Sequence, residues 1–250
     1  MKRRRFFQTL AAGTAGAYLA PLKVLAGDEL RLVILHTNDT HSRIDPFPMD
    51  GGRNAGMGGI ARRAALIKRI RATEPNLLLL DSGDIFQGTP YFNFFGGEVE
   101  FKAMSAMGYD ASTLGNHDFD NGVDGLVRML PQASFPFVSA NYIVDPASPL
   151  AGRVRPHLIR EVGPITVGIF GLGIDFDRLV IGALHEGVSY SDPILVARQQ
   201  VETLRQQGCH LVICLSHLGF RYREDRPSDM TLAAEVPGID LILGGHTHTF

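Results

Sequence analysis

Six stretches of the chain are apolar almost without interruption, and most of them run directly into polar residues. They are LRLVILH (30–36), NLLLLD (76–81), FPFVSAN (135–141), ITVGIFGLG (165–173), HLVICLSH (210–217) and IDLILGG (239–245). Runs of this length and texture predict buried strands. A weaker run, DASTLG (110–115), reads as a further strand. Between these runs the apolar residues recur at helical spacing. GGIARRAALIKRIRA puts Ile60, Ala64 and Ile67 on one face, and EVEFKAMSAMG ends on Gly108. DPILVARQQVETLRQQG opens on Asp192-Pro193 and stops at Gly208, so both of its ends carry helix signals.

Strand, helix, strand repetition predicts an α/β fold. HLIREVG and ITVGIFG, separated by Gly163-Pro164, read as a hairpin, so the sheets are expected to be mixed. One long glycine-rich loop covers residues 45–59, and no linker divides residues 27–250, which read as one domain.

Composition narrows the picture. A chain of 250 residues, 45% hydrophobic, is long enough for one sizeable core. The first 26 residues hold Lys2, Arg3, Arg4, Arg5 and Lys23 and no acid. Without them 19 basic and 26 acidic residues remain, a net charge of −7 that argues against a nucleic-acid polymer as partner. The basic start MKRRRFFQTL and the small-residue stretch ending in Val24-Leu25-Ala26 predict an export signal over residues 1–26. Arg3-Arg4 with Phe6 resembles the twin-arginine type, which places the mature protein in the periplasm or otherwise outside the cytoplasm. The segment is too short and too glycine-rich for a stable membrane span. Cys209 and Cys214, the two cysteines, lie around an apolar run and read as buried free thiols.

The chemistry gathers where apolar runs end. Asp39 and His41 follow the first, Asp84 the second, and Asn116, His117, Asp118 and Asp120 the weak one. His217 follows HLVICLS, and His246 and His248 follow DLILGG. Ligands of α/β sheets bind beyond the carboxyl ends of strands, so these five groups are expected on one rim. In extended chain, residues two apart share a face, so Asp39 and His41 are expected to share a target, as are His246 and His248 if that turn is extended. Carboxylate, amide and imidazole without thiolate suit zinc, manganese or iron. The set exceeds one tetrahedral site and suits two divalent ions with one carboxylate between them. Such a pair clamps a phosphoryl displacement and acidifies a bound water, so no protein nucleophile is required.

The ordered set DTH, GD, GNHD, SH and GGHTH resembles the calcineurin-like metallophosphoesterases. The longer strings ILHTNDTHSRI, LLLLDSGDIFQGTPYF, TLGNHDFDNGVDGL and DLILGGHTHTF are similar to the bacterial 5′-nucleotidase branch. The resemblance implies a four-layer αββα sandwich with two mixed β-sheets. It implies one metal held by Asp39, His41, Asp84 and His248, and a second held by Asp84, Asn116, His217 and His246. His117 would be the catalytic histidine, Asp120 its orienting carboxylate, and Asn116 a further phosphate contact. Asp118 stands where this branch often has glutamate, a departure in length expected to matter little. The implied activity is hydrolysis of nucleoside 5′-monophosphates to nucleoside and phosphate through a metal-bound hydroxide, with zinc or manganese as the ions. Cyclic nucleotides, nucleotide sugars or thiosulfate esters are alternative substrates, and a metal-binding domain without activity is the alternative outside enzymes. The family's C-terminal substrate-specificity domain has no counterpart in residues 27–250. The catalytic domain is therefore expected to be incomplete at its C-terminus, with a separately encoded C-terminal 5′-nucleotidase domain as a candidate partner. His36 reads as hydrogen-bonded support, and Phe92, Phe94 and Phe95 read as core.

Overall fold

The computed structural model describes residues 30–249; the expected export signal lies outside them. The chain runs through β1 (Val33–Thr37), α1 (Ile60–Arg71), β2 (Leu77–Asp81), α2 (Pro90–Phe95), α3 (Glu98–Met107) and β3 (Ala111–Ser112). It continues through α4 (Gly122–Met129), β4 (Phe137–Val138), β5 (Tyr142–Val144), β6 (Val154–Arg155), β7 (His157–Val162) and β8 (Ile165–Leu172). β9 (Val188–Tyr190), α5 (Pro193–Gln206), β10 (Leu211–Ser216), α6 (Asp229–Glu235) and β11 (Leu241–Gly244) complete it.

One sheet has the order β1-β2-β3-β4-β6, with every pairing parallel. The other has the order β11-β10-β8-β7 and is mixed, because β7 and β8 form the expected antiparallel hairpin while β8, β10 and β11 run parallel. A small antiparallel pair, β5 with β9, was not marked by any apolar run.

Side-chain alternation assigns the layers. Leu77 and Leu79 of β2 pack with α1 and α3 residues such as Ile67, Phe101 and Met104. Leu78 and Leu80 point the other way and meet Ile169 and Val167 of β8 and Ile213 and Leu215 of β10. On the far side of the second sheet, Val212 and Cys214 pack with Ile194, Val201 and Leu204 of α5 and Leu232 of α6. The result is helices, sheet, sheet, helices, the four layers the resemblance implied. Removing a fully buried leucine such as Leu79 at such a layer costs about 2–5 kcal/mol.

The sheets approach closely at Gly171. A Cβ there would lie 2.1 Å from the Val138 carbonyl oxygen and 2.5 Å from the Thr113 hydroxyl. This also explains why the run 135–141 gives so short a strand. The Ser139 N–H still bonds to Arg155 of the first sheet, but the Ala140 N–H bonds to Gly171 of the second. The chain crosses between sheets there instead of extending β4. α5 begins as expected, with the Asp192 carboxylate accepting from the N–H groups of Ile194 and Leu195 ahead of Pro193.

Candidate metal centre

The strand ends converge. His41, Asp84, Asn116, His117, His246 and His248 line one cleft of about 390 Å³. The backbone that delivers them is not extended. Asp39 (φ 47°), His41 (φ 44°), Asp84 (φ 54°), His246 (φ 69°) and His248 (φ 47°) all occupy the left-handed region. Each such residue costs about 1–3 kcal/mol, and such residues cluster where surrounding structure enforces them for function. This corrects the extended-chain reasoning. Asp39 and His41 do share a target, but through a tight turn. His246 and His248 part company, because the turn after β11 sends them to different groups.

Asp39, His41 and His248 form one group whose candidate ligand atoms all lie within 4.8 Å of one another; Asp84, His217 and His246 form the other. In the first, His248 Nε2 is 3.3 Å from Asp39 Oδ1 and 3.1 Å from His41 Nε2. In the second, His217 Nε2 is 3.1 Å from Asp84 Oδ2. Asp84 Oδ2 also lies 4.0 Å from His41 Nε2, so this carboxylate stands between the groups. Asn116 joins the second group, its Oδ1 lying 3.0 Å from His246 Nδ1.

Supporting bonds aim these rings. His217 Nδ1 donates to the Ser82 carbonyl at 2.6 Å, and His41 Nδ1 to the Phe86 carbonyl at 3.2 Å. Each leaves Nε2 facing its group, the arrangement that orients metal-ligating imidazoles. The buried His217 Nε2 has no hydrogen-bond partner. A buried polar atom without a partner is costly, and a divalent cation beside Asp84 would satisfy it. The donor set and its geometry thus fit two cations.

The electrostatics divide the rings: two are held neutral, while at His217 the lowering effect of burial is outweighed by the neighbouring Asp84, which raises its pKa to about 9. Burial lowers the pKa of His41 and, with His217 adding to it, lowers that of His246 to about 4, keeping both rings in the neutral form that ligates metals. Burial would raise Asp84, but His217 and His117 outweigh it and hold the carboxylate ionised. His117 moves the other way: its bond to Asp120 lifts it, against burial, with Asp84 contributing. His117 Nδ1 lies 3.0 Å from Asp120 Oδ2, and its backbone N–H donates to Asp84 Oδ1 at 2.8 Å. Nε2 is then the ring nitrogen left for a substrate.

Sequence reasoning undervalued Asp118. Its buried carboxylate accepts from the backbone N–H groups of Gly115 (2.8 Å), Asp84 (3.1 Å), Ile85 (3.0 Å) and Phe86 (3.3 Å). Burial, with the Asp84 charge, pushes its pKa up to about 7, against these donors. The side chain ties the turn that carries Asp84 to the turn that carries Asn116 and His117. Gly115 permits the approach, since a Cβ there would lie 2.2 Å from Asp84 Oδ1 and 2.7 Å from His217 Cε1.

The other histidines have local roles. His36 Nε2 bonds to the Ser82 hydroxyl at 2.9 Å, His157 to Gln200, and His185 stacks on Phe176. Both cysteines are free and buried. Phe92 is core, but Phe94 and Phe95 are 80% and 49% exposed, which corrects the expectation for that pair. No described helix is long and apolar enough to cross a membrane.

The calcineurin-like phosphoesterase sequence model matches residues 32–250. The chain is 39% identical over 241 residues to a snake venom 5′-nucleotidase of Gloydius brevicauda, covering 93% of this chain and 39% of that protein. It is 38% identical over 242 residues to a 5′-nucleotidase of Homo sapiens, covering 94% of this chain and 40% of that one. Among solved structures, a 5′-nucleotidase precursor of Thermus thermophilus matches with a TM-score of 0.79 at 38% identity, over 88% of this chain and 42% of that chain. The chain therefore spans about two fifths of the length of these relatives. With a matching sequence model over nearly all described residues and the same layered fold, the chain belongs to the calcineurin-like phosphoesterase family.

Proposed function

We propose that this chain carries the catalytic site of an exported, two-metal phosphoesterase that hydrolyses nucleoside 5′-monophosphates. The observation that carries the reading is the meeting of two N/O ligand groups on either side of Asp84. Asp39, His41, Asp84 and His248 would hold one cation; Asp84, Asn116, His217 and His246 would hold the other. When bound, two such ions supply Lewis acidity towards a phosphoryl oxygen and towards water, with zinc or manganese suiting the donors. The chain's own residues do the rest. Asn116 contributes a neutral oxygen and an amide donor beside the phosphate position. His117, its proton favoured by Asp120, donates to the departing oxygen of the ester. Nucleoside monophosphates are favoured as substrates by the relatives, whose names are those of 5′-nucleotidases. Export rests on the basic, twin-arginine-like start at Arg3-Arg4.

Purified protein supplied with zinc or manganese is expected to release orthophosphate from adenosine 5′-monophosphate and to stop on chelation. Protein that binds the ions but releases no phosphate from any nucleoside monophosphate overturns the reading. Replacement of Arg3 and Arg4 by lysine should hold the protein in the cytoplasmic fraction; unimpaired export contradicts the twin-arginine route.

A further inference from the structure

Ser82 sits where three strands that carry candidate ligands come together. It follows β2 directly, two residues before Asp84, and is fully buried. Its hydroxyl donates to the Leu243 carbonyl of β11 at 2.7 Å and lies 2.9 Å from His36 Nε2 of β1. Burial lowers the His36 pKa to about 4, against the pull of Asp39, so the ring is neutral and carries one proton. The Ser82 proton goes to Leu243, so Nε2 is the ring nitrogen that donates to the hydroxyl. The bonds run from His36 to Ser82 to Leu243, crossing from the first sheet to the second.

Both ends of that chain are sheet edges. β1 closes the first sheet and β11 the second, so each pairs with a strand on one side alone. The turn after β1 carries Asp39 and His41, and the turn after β11 carries His246 and His248. Asp39, His41 and His248, the whole of one ligand group, therefore ride on edge strands. The turn after β11 also closes tightly on Ser82. A Cβ at Gly245 would lie 3.1 Å from the Ser82 carbonyl oxygen and 3.0 Å from His217 Nδ1. The bonds that cross beside it join candidate ligands to one another, His246 N–H to Asp39 at 2.9 Å and His246 Nδ1 to Asn116 at 3.0 Å. The Ser82 hydroxyl bond uses no ligand side chain, so it fixes β11 whatever those side chains hold.

We propose that Ser82 is a positioning residue for the cation of the Asp39, His41 and His248 group: its hydroxyl sets the distance between the two edge strands that deliver those ligands. The inference rests on the two-cation reading above. Its carbonyl has a separate task, accepting from His217 Nδ1 in the other group. The two tasks sit on different atoms. Alanine at this position removes the hydroxyl and keeps the carbonyl, so one group should loosen and the other should not. Partners that orient metal ligands are worth about 10–100-fold in metal affinity.

The test is a metal titration rather than an assay of turnover. Manganese is titrated calorimetrically into chelator-stripped protein, with cobalt(II) absorption followed in parallel. Wild type is expected to show two binding steps. Ser82→Ala should weaken one step by about 10–100-fold and leave the other at its wild-type affinity. His248→Ala should weaken the same step, and the double variant should lose less than the two single losses combined, because both act on one ion. His36→Ala keeps the bond from Ser82 to Leu243 and should lose less, and His36→Gln, whose amide can donate to the hydroxyl, should restore part of that loss. Val201→Ala, a core change on α5, should lower the melting temperature and leave the ratio of the two steps unchanged. That control marks off a general loss of stability from a loss of position. Two wild-type steps in Ser82→Ala, or equal weakening of both, would overturn the role of Ser82. A wild type that takes fewer than two ions overturns the two-cation reading and this inference with it.

Discussion

His217 Nε2 lies 3.1 Å from Asp84 Oδ2, both side chains are sealed from solvent, and the imidazole nitrogen has no hydrogen-bond partner. Without a cation, Asp84 outweighs burial and raises the His217 pKa to about 9, so the two groups form a buried ion pair that lacks a well-aligned hydrogen bond. A cation between the two groups would satisfy both, and its binding would stabilise the native state by mass action.

Chelation is therefore expected to lower the melting temperature, and added zinc or manganese should restore it in a concentration-dependent manner. At a free metal concentration a hundredfold above Kd the stabilisation is about 2.7 kcal/mol. Thermal scans across a metal titration check this, and a melting temperature indifferent to chelator and metal contradicts it.

His117 and Asp120 should separate proton transfer from metal binding. A positioned acid or base contributes about 10²–10⁴-fold. His117→Ala should lose turnover on that scale with metal content unchanged. Asp120→Asn should lose less, since the ring remains while the bond at 3.0 Å that orients it weakens. Steady-state kinetics alongside metal analysis decide the matter; near-normal turnover of His117→Ala removes the histidine from the mechanism.

Asp118 should prove structural. Asp118→Ala leaves the N–H groups of Gly115, Asp84, Ile85 and Phe86 without their acceptor, at about 1–3 kcal/mol for each that stays dry. Asp118→Asn keeps one oxygen and should cost less. Urea denaturation of the two variants measures the difference, and an alanine variant as stable as wild type denies the clamp.

Asp229 gives a pH signature. Burial raises its pKa to about 6, while its Oδ1 accepts from the Ser216 hydroxyl. The folded state then holds a proton that the unfolded chain, titrating near the usual 3.8, has given up. Its contribution to stability is present below about 3.8 and is lost as pH rises through about 6. Asp229→Asn should remove this loss, worth on the order of 1–2 kcal/mol, and raise the melting temperature at pH 7.5 relative to pH 5. A variant whose pH dependence parallels wild type contradicts the assignment.

Much of this was legible in the sequence because strand ends and residue types carry it. The apolar runs marked the principal strands, and Asp39, Asp84, His217 and His246 follow four of them closely. What stayed hidden depends on tertiary structure. Nothing local told Asp84 or His246 to adopt positive φ, because only the converging turns enforce it. The division of His246 from His248 followed from the same cause. The role of Asp118 lay in backbone N–H groups 32–34 residues away in sequence or on its own turn, which no residue pattern announces. Strand β4 stopped early because its continuation bonds to the other sheet. Phe94 and Phe95 resemble core residues in composition, but α2 presents them outward.

The most direct test of the account is the metal stoichiometry of Asp84→Asn against wild type, measured by mass spectrometry of the metals with phosphate release followed on the same samples. Asp84 stands 3.1 Å from His217 Nε2 and 4.0 Å from His41 Nε2, so it serves both groups. Wild type is expected to hold two ions per chain, and the variant to hold fewer, with turnover lost and only partly restored by excess metal. Two tightly held ions and intact turnover in Asp84→Asn would contradict a centre organised around that carboxylate.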